Sequence, residues 1–329
     1  MRRLIAIPLV LLLVVMAAPA RAQVQGGGTL KGKAYFDLSL GLTEDVNNEM
    51  FTYGFRRIYL TYNLEMSENI TGRFRTDVEQ KTDGYYRVYM KHAYVNWKAA
   101  DMVSLRFGQQ GTILFGTIED IWGYRQVLKT LEDNYKVRSS ADFGMSARFS
   151  LTDMITVTAM HSNGNGYNKY DDTASYAKAT ELQGVITPID GLTVTAHYGM
   201  VGYDPDSDPD TDIINANTMD VGVGYAGDAF SVGGSFFSAG NWGGTEDLSA
   251  SGFWGFGTFA IPNSPLTAVA TYQSFDPDVD TDDDTQTTML IGLDFSPGSG
   301  LSIIPNYLST KSGTADPVDT FRITFYWKW

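Results

Sequence analysis

The chain has 329 residues, 43% hydrophobic and 13% aromatic, with 34 Gly, three His and no Cys. The lack of cysteine excludes a disulfide scaffold, a thiolate metal site and a cysteine nucleophile, and three His leave few groups for acid–base chemistry near neutral pH. Twenty-four Lys and Arg against 38 Asp and Glu give a formal charge of −14, which argues against nucleic acid as a partner, because neutralising phosphates takes bases.

Residues 1–22 read as a secretory signal peptide. Arg2 and Arg3 open it, Ile5 to Ala18 is a nearly unbroken apolar run, and Ala20-Arg21-Ala22 offers a cleavage site between small residues. The run is shorter than the ~18–20 residues that a spanning helix needs. Cleavage after Ala22 leaves 307 residues with 21 bases against 38 acids, a formal charge of −17. Residues 23–329 are then expected to form one unit.

That unit alternates with period two almost throughout. Ala34, Phe36, Leu38, Leu40 and Leu42 alternate with Lys33, Tyr35, Asp37, Ser39 and Gly41, and Ile58, Leu60, Tyr62 and Leu64 with Arg57, Tyr59, Thr61 and Asn63. Such spacing puts apolar side chains on one face of a strand and polar ones on the other. The pattern predicts strands near 30–42, 51–66, 70–80, 85–98, 102–109, 142–151, 154–162 and 176–187. Eight more follow near 191–203, 214–226, 229–240, 248–261, 265–275, 285–296, 301–310 and 320–329.

Connections alternate in length. Tiny turns such as Ser67-Glu68-Asn69, Thr152-Asp153 and Ala226-Gly227-Asp228 take turns with longer, acidic loops at 43–50, 110–141, 163–175, 204–212, 241–247, 276–284 and 311–319; segment 81–84 is the one short exception. Short turns at one end and long loops at the other belong to an up-and-down transmembrane barrel. A soluble β-sandwich also alternates, but its strands are usually about 5–6 residues long. Sixteen long strands with Arg, Lys and Glu on one face and Phe, Leu and Ile on the other use both faces only in a closed barrel. Aromatics near strand ends, such as Phe51, Tyr53, Phe55, Tyr94 and Trp97, suit an interfacial girdle.

Phe321, Ile323, Phe325, Trp327 and Trp329 occupy every second position up to the last residue, with Arg322, Thr324, Tyr326 and Lys328 between them. This ending resembles the C-terminal signal of bacterial outer-membrane proteins. The resemblance implies that Phe325, Trp327 and Trp329 are read by the barrel-assembly machinery, and that the last strand pairs with the first. The layout, together with Leu105-Arg106-Phe107-Gly108-Gln109-Gln110 and Phe115-Gly116-Thr117-Ile118-Glu119-Asp120-Ile121-Trp122-Gly123, resembles the sixteen-stranded porins of Gram-negative bacteria. That resemblance implies an all-β, antiparallel transmembrane barrel whose third external loop folds inward as a constriction bearing Phe115, Glu119 and Asp120. It also implies a homotrimer, seated in outer-membrane lipid and lipopolysaccharide, that passes small hydrophilic solutes by passive diffusion without a cofactor. A short helix is expected within 118–132.

Sixteen of the 21 mature bases lie before residue 151, so the charge is uneven. By parity Lys31, Lys33, Arg57, Arg73, Arg75, Arg87, Arg106 and Arg148 fall on polar faces, with Arg322 joining them if the barrel closes. An Arg facing lipid at mid-membrane costs about 2–4 kcal/mol, so these faces are expected to line the lumen as a basic wall. Glu119 and Asp120 are expected to stand opposite.

Asp204, Asp206, Asp208, Asp210 and Asp212 alternate, and Asp276, Asp278, Asp280, Asp282, Asp283 and Asp284 repeat the theme. Oxygen ligands at this density suit Ca²⁺ or Mg²⁺, but position six from Asp204 is Pro209 and position twelve is Asn215, so no EF-hand is present. A solvated acidic loop is the simpler expectation, with divalent bridging to lipopolysaccharide as the other. His92, His161 and His197 lie in no catalytic motif and no G-x-S-x-G occurs, so an enzyme is not expected. An outer-membrane enzyme on a barrel, or an adhesin with a plugged lumen, is the alternative class.

Overall fold

The computed structural model describes residues 27–47, 50–80, 84–169, 178–203 and 212–329. The expected signal segment 1–22 and the carboxylates Asp204, Asp206 and Asp208 lie outside the described residues. The first eight strands are β1 (Gly28–Gly41), β2 (Phe51–Glu65), β3 (Ile70–Gln80), β4 (Tyr86–Ala100), β5 (Val103–Gln110), β6 (Asp142–Ser150), β7 (Ile155–Ser162) and β8 (Ala179–Ile189). The rest are β9 (Leu192–Tyr203), β10 (Ile214–Ala226), β11 (Phe230–Gly240), β12 (Ser249–Ala260), β13 (Leu266–Asp276), β14 (Gln286–Gly298), β15 (Leu301–Ser312) and β16 (Val318–Lys328). Each pairs antiparallel with its chain neighbours, and β16 returns to β1, giving the closed sixteen-stranded barrel that the period-two pattern predicts.

Closure rests on the C-terminal alternation. Phe325 stands opposite Phe36 and Trp327 opposite Ala34, and the backbones of Gly32 and Trp329 exchange hydrogen bonds of 2.9 and 3.1 Å. On the inner side of the same seam Tyr35 meets Tyr59 and Tyr326 edge to face, with ring centroids 6.0 and 5.5 Å apart. Edge-to-face pairs of this kind add about 0.5–1.5 kcal/mol beyond the area that they bury.

The outward face is apolar: Leu60, Phe74, Val95, Phe107, Met145 and Val221 are all exposed on it. Exposed rings gather toward both rims, with Phe51, Tyr53, Tyr86 and Phe143 at the long-loop end and Trp97, Phe149, Phe230 and Trp327 at the short-turn end.

The register shifts at five places among the described strands, three beside short turns and two, both β-bulges, inside the wall of β1–β4. Tyr35 pairs with Arg57 but Phe36 pairs with Phe55, so Arg56 is the extra residue. Arg75 pairs with His92 but Thr76 with Met90, so Lys91 is the extra residue of β4. A bulge inserts one unpaired residue and reverses side-chain parity beyond it. That is why Phe51, Tyr53 and Phe55, at odd positions, share the outer face with Ile58, Leu60 and Tyr62, at even ones. Both Arg56 and Arg57 thereby enter the lumen, as do Lys91 and His92.

Replacing Tyr326 by Ala is expected to destabilise the refolded barrel by about 3 kcal/mol, because a large ring leaves the seam without a substitute. Urea unfolding followed by tryptophan fluorescence reads the shift; an unaltered midpoint would show that the rings contribute little.

Candidate pore constriction

Residues 111–141 leave β5 and run into the lumen, forming α1 (Thr117–Trp122) and α2 (Leu131–Asn134). Gly123 ends α1 in the left-handed conformation (φ 68°), and Thr130 caps α2 by accepting a hydrogen bond from the Asp133 amide. The helices pack on β9 to β13, across the barrel from β2–β4. Trp122, Val127, Leu128 and Leu131 of the loop join Phe237, Trp254, Phe256 and Leu290 of the wall in one buried apolar cluster. Trp122 lies 5.4 Å from Phe256 and Tyr135 stacks on Phe275 at 4.4 Å, centroid to centroid. A Cβ on Gly222 or Gly224 would stand 2.8 Å from Ile118 or 2.7 Å from Ile121, so the loop can approach β10 this closely only over glycine.

Polar ties complete the attachment. Arg322 Nη2 donates to the Val127 carbonyl at 2.6 Å, Gln273 Nε2 to that of Lys129 at 2.7 Å, and Tyr124 Oη to Asp294 at 3.0 Å. Arg56 donates to the Gln126 carbonyl while pairing with Asp37, and Ser235 donates to Glu132. At the loop's exit Arg138 pairs with Asp142 at 2.9 Å and Glu181 at 3.4 Å, and Glu181 also meets His197 at 3.3 Å.

The lumen left open lies along the opposite wall. A chamber of about 400 Å³ has Lys33, Arg73 and Arg75 on the strands and Phe115, Glu119 and Asp120 on the loop. Arg73 Nε donates to Asn63 Oδ1 and Arg75 Nε to Thr61 Oγ1, each at 2.8 Å. These cross-strand bonds fix the two guanidinium groups against the wall. Glu119 pairs with Arg125 of its own loop, which also holds Asp133. Among the described residues Asp120 has no cation within 4.0 Å; burial and then the neighbouring Glu119 push its pKa up, with Lys33 opposing them. Burial also pushes Asp133 up, but Arg125 and Lys129 outweigh it and hold that carboxyl well below the usual range.

Not all the basic residues expected on the wall meet in this chamber. Arg57 is buried above it with Asp77 at 3.5 Å and Glu79 at 3.4 Å. Arg87 is exposed near the long-loop end of β4, in register with Glu79. Arg106, over the Tyr94 ring at 4.4 Å, and Arg148 lie toward the short-turn end. Arg56 and Lys91 are luminal residues that parity alone does not select, while Tyr59, on the polar face by parity, also lines the chamber. Tyr167, from the next long loop, reaches in to donate to Asp77 at 2.9 Å. The doublets Arg56-Arg57 and Lys91-His92 were the available signal, since two adjacent polar residues inside an alternating strand mark a bulge.

No protein-family model matches the chain, and no curated sequence does. Among solved structures it resembles OmpF of Salmonella typhi in complex with daunomycin, with TM-score 0.69 and 13% identity over 93% of this chain and 98% of that one. An anion-selective porin from Comamonas acidovorans gives TM-score 0.69 and 9% identity over 92% and 100%. The trimer form of OmpT, an outer membrane protein of Vibrio cholerae, gives 0.62 and 16% over 92% and 99%. The chain has the fold of the sixteen-stranded porins, with the third long loop turned inward. At these identities the likeness is one of fold.

Substituting Leu for Gly224 is expected to lift α1 off β10, because the new side chain must occupy the place of Ile121. Limited proteolysis should then cut within 111–141 at least several-fold faster than in the parent barrel; equal rates would show that the loop is held without this contact.

Proposed function

We propose that this protein is an outer-membrane channel for passive diffusion of small hydrophilic solutes and ions. The observation that carries the reading is the chamber in which Lys33, Arg73 and Arg75 face Asp120 and Glu119. Fixed charges of opposite sign across a narrow passage create a transverse field. A dipolar solute can align in it, whereas an apolar one must displace ordered water without replacing its hydrogen bonds.

The apolar outer face and its two aromatic girdles support a place in a bilayer, with the short turns at the periplasmic end and the long acidic loops outside. We read 1–22 as the export signal and Phe325, Trp327 and Trp329 as the assembly signal. The trimer form of the similar OmpT supports a homotrimer here. Acidic loops meeting lipopolysaccharide through divalent ions remain part of this proposal. Among the described residues no group of three His, Asp or Glu is arranged to hold a metal on its own.

Planar-bilayer recording tests the reading. A steady open conductance supports a channel; silence accompanied by hydrolase activity would favour an enzyme on a barrel. Arg73→Ala with Arg75→Ala is expected to move the reversal potential in a salt gradient toward cations, and no movement would dismiss the basic wall as a selectivity element.

The raised pKa of Asp120 gives this selectivity a pH dependence. A carboxyl with a raised pKa takes up its proton at a higher pH than an ordinary one, so the loop loses negative charge early as the solution is acidified. Selectivity should therefore turn toward anions on going from pH 7 to pH 4, starting above the ordinary carboxylate range. Asp120→Asn should show the anion-shifted value already at pH 7; a titration unchanged in this variant would assign the effect elsewhere.

A further inference from the structure

A second chamber, of about 630 Å³, lies below the first toward the short-turn end, and the two share Lys33, Arg73 and Arg75. These residues form the neck between the chambers, so a solute moving from one to the other passes them. Lys31, Lys328 and Trp329 line the lower chamber, and no Asp or Glu side chain does. Among the described residues, no Asp or Glu lies within 4.0 Å of any of these five cations.

The contrast with the lumen above the neck is sharp. Arg56 and Arg322 share Asp37, Arg57 and Lys91 share Asp77, and Arg125 holds Glu119 and Asp133. The fold thus pairs the bases above the neck with carboxylates, whereas those of the neck, like Arg106 and Arg148 toward the short-turn end, have no Asp or Glu within 4.0 Å among the described residues; Glu119 and Asp120 face the neck only across the upper chamber. Repulsion among close cations disfavours such a grouping unless something else supplies the negative charge. The side-chain bonds of Arg73 and Arg75 use only Nε, with neutral partners, Asn63 and Thr61. Their terminal nitrogens have no described side-chain hydrogen-bond partner and edge both chambers.

Resting on the channel reading above, we propose that Lys33, Arg73 and Arg75 form a binding subsite for a doubly charged tetrahedral oxyanion, the phosphate group of a small solute. Two guanidinium forks and an ammonium offer paired donors to several oxygens of one phosphate at once. Chloride cannot use paired donors, and a monocarboxylate can occupy only one fork. The subsite is open on both sides, as transit requires: bound solute can leave downward past Lys31 and Lys328 as well as return.

The experiment records chloride current through the purified, refolded barrel in a planar bilayer while inorganic phosphate or glycerol phosphate is added. Both should reduce the current at millimolar concentration in the parent protein. Arg73→Gln with Arg75→Gln should raise the half-blocking concentration at least about tenfold, as losing two charge-assisted forks requires. Arg73→Lys with Arg75→Lys, which keeps the charge, should fall between the two. Lys98→Gln, at the rim and paired with Asp101, should behave as the parent. Block by free phosphate but not by the ester would restrict the subsite to the inorganic ion and overturn the solute class.

A chloride current that phosphate leaves untouched, or a block that the Gln pair does not weaken, overturns the subsite while leaving the channel intact. If the parent barrel carries no current the channel reading fails instead. Calorimetric titration with inorganic phosphate then decides the subsite separately: heat lost in the Gln pair supports it, and no heat in the parent overturns it. Resistance of each variant to SDS at room temperature checks that the barrel has closed.

Discussion

The apolar seam between the inward loop and the inner wall of β10–β14 is the contact on which the site depends. A sixteen-stranded barrel is too wide for its own inward side chains to fill, so the space must hold water or another part of the chain. Here Trp122, Leu131 and their loop neighbours fill one half against Phe237, Trp254, Phe256 and Leu290. Burying large apolar side chains contributes roughly 1.5–3 kcal/mol each, enough for a few of them to hold a segment that is otherwise mostly irregular. Because the seam occupies one side, the open lumen is displaced to the other, against β1–β4.

That displacement gives the uneven charge its meaning. Bases are concentrated in the first half of the chain because that half builds the wet wall, while several strands of the second half turn Phe, Trp and Leu inward toward the loop. Within the wet wall the fold sorts the cations again. Those that also hold the loop or brace neighbouring strands carry carboxylate partners, as Arg56, Arg57 and Arg322 do. Those at the neck have neutral partners only. Paired charges in a partly buried site serve geometry, and unpaired ones beside open lumen are available to a passing ion.

Much of this was legible in the chain. Alternation, turn lengths and the terminal aromatics were enough for a closed sixteen-stranded barrel, since period two and a single polar face leave few other arrangements. The inward loop was expected at the right connection, and Lys33, Arg73 and Arg75 on the right face. Two things were not legible. The bulges at Arg56 and Lys91 reverse parity locally, and alternation cannot be read through a reversal that depends on backbone pairing. The apolar inner face of β12 was hidden because Phe253, Trp254 and Phe256 read simply as a hydrophobic strand, with nothing to say that Trp254 and Phe256 turn inward to meet Trp122.

The sequence by itself determined the architecture, because strand periodicity and turn chemistry are local and act along the chain. The tertiary structure alone decided which cations are spent on partners and which remain open. Arg57 and Arg75 have the same parity, but one lies beside Asp77 and Glu79 and the other beside Thr61 and the lumen. That difference comes from the stagger of neighbouring strands and the path of one loop, which bring together residues far apart in the chain.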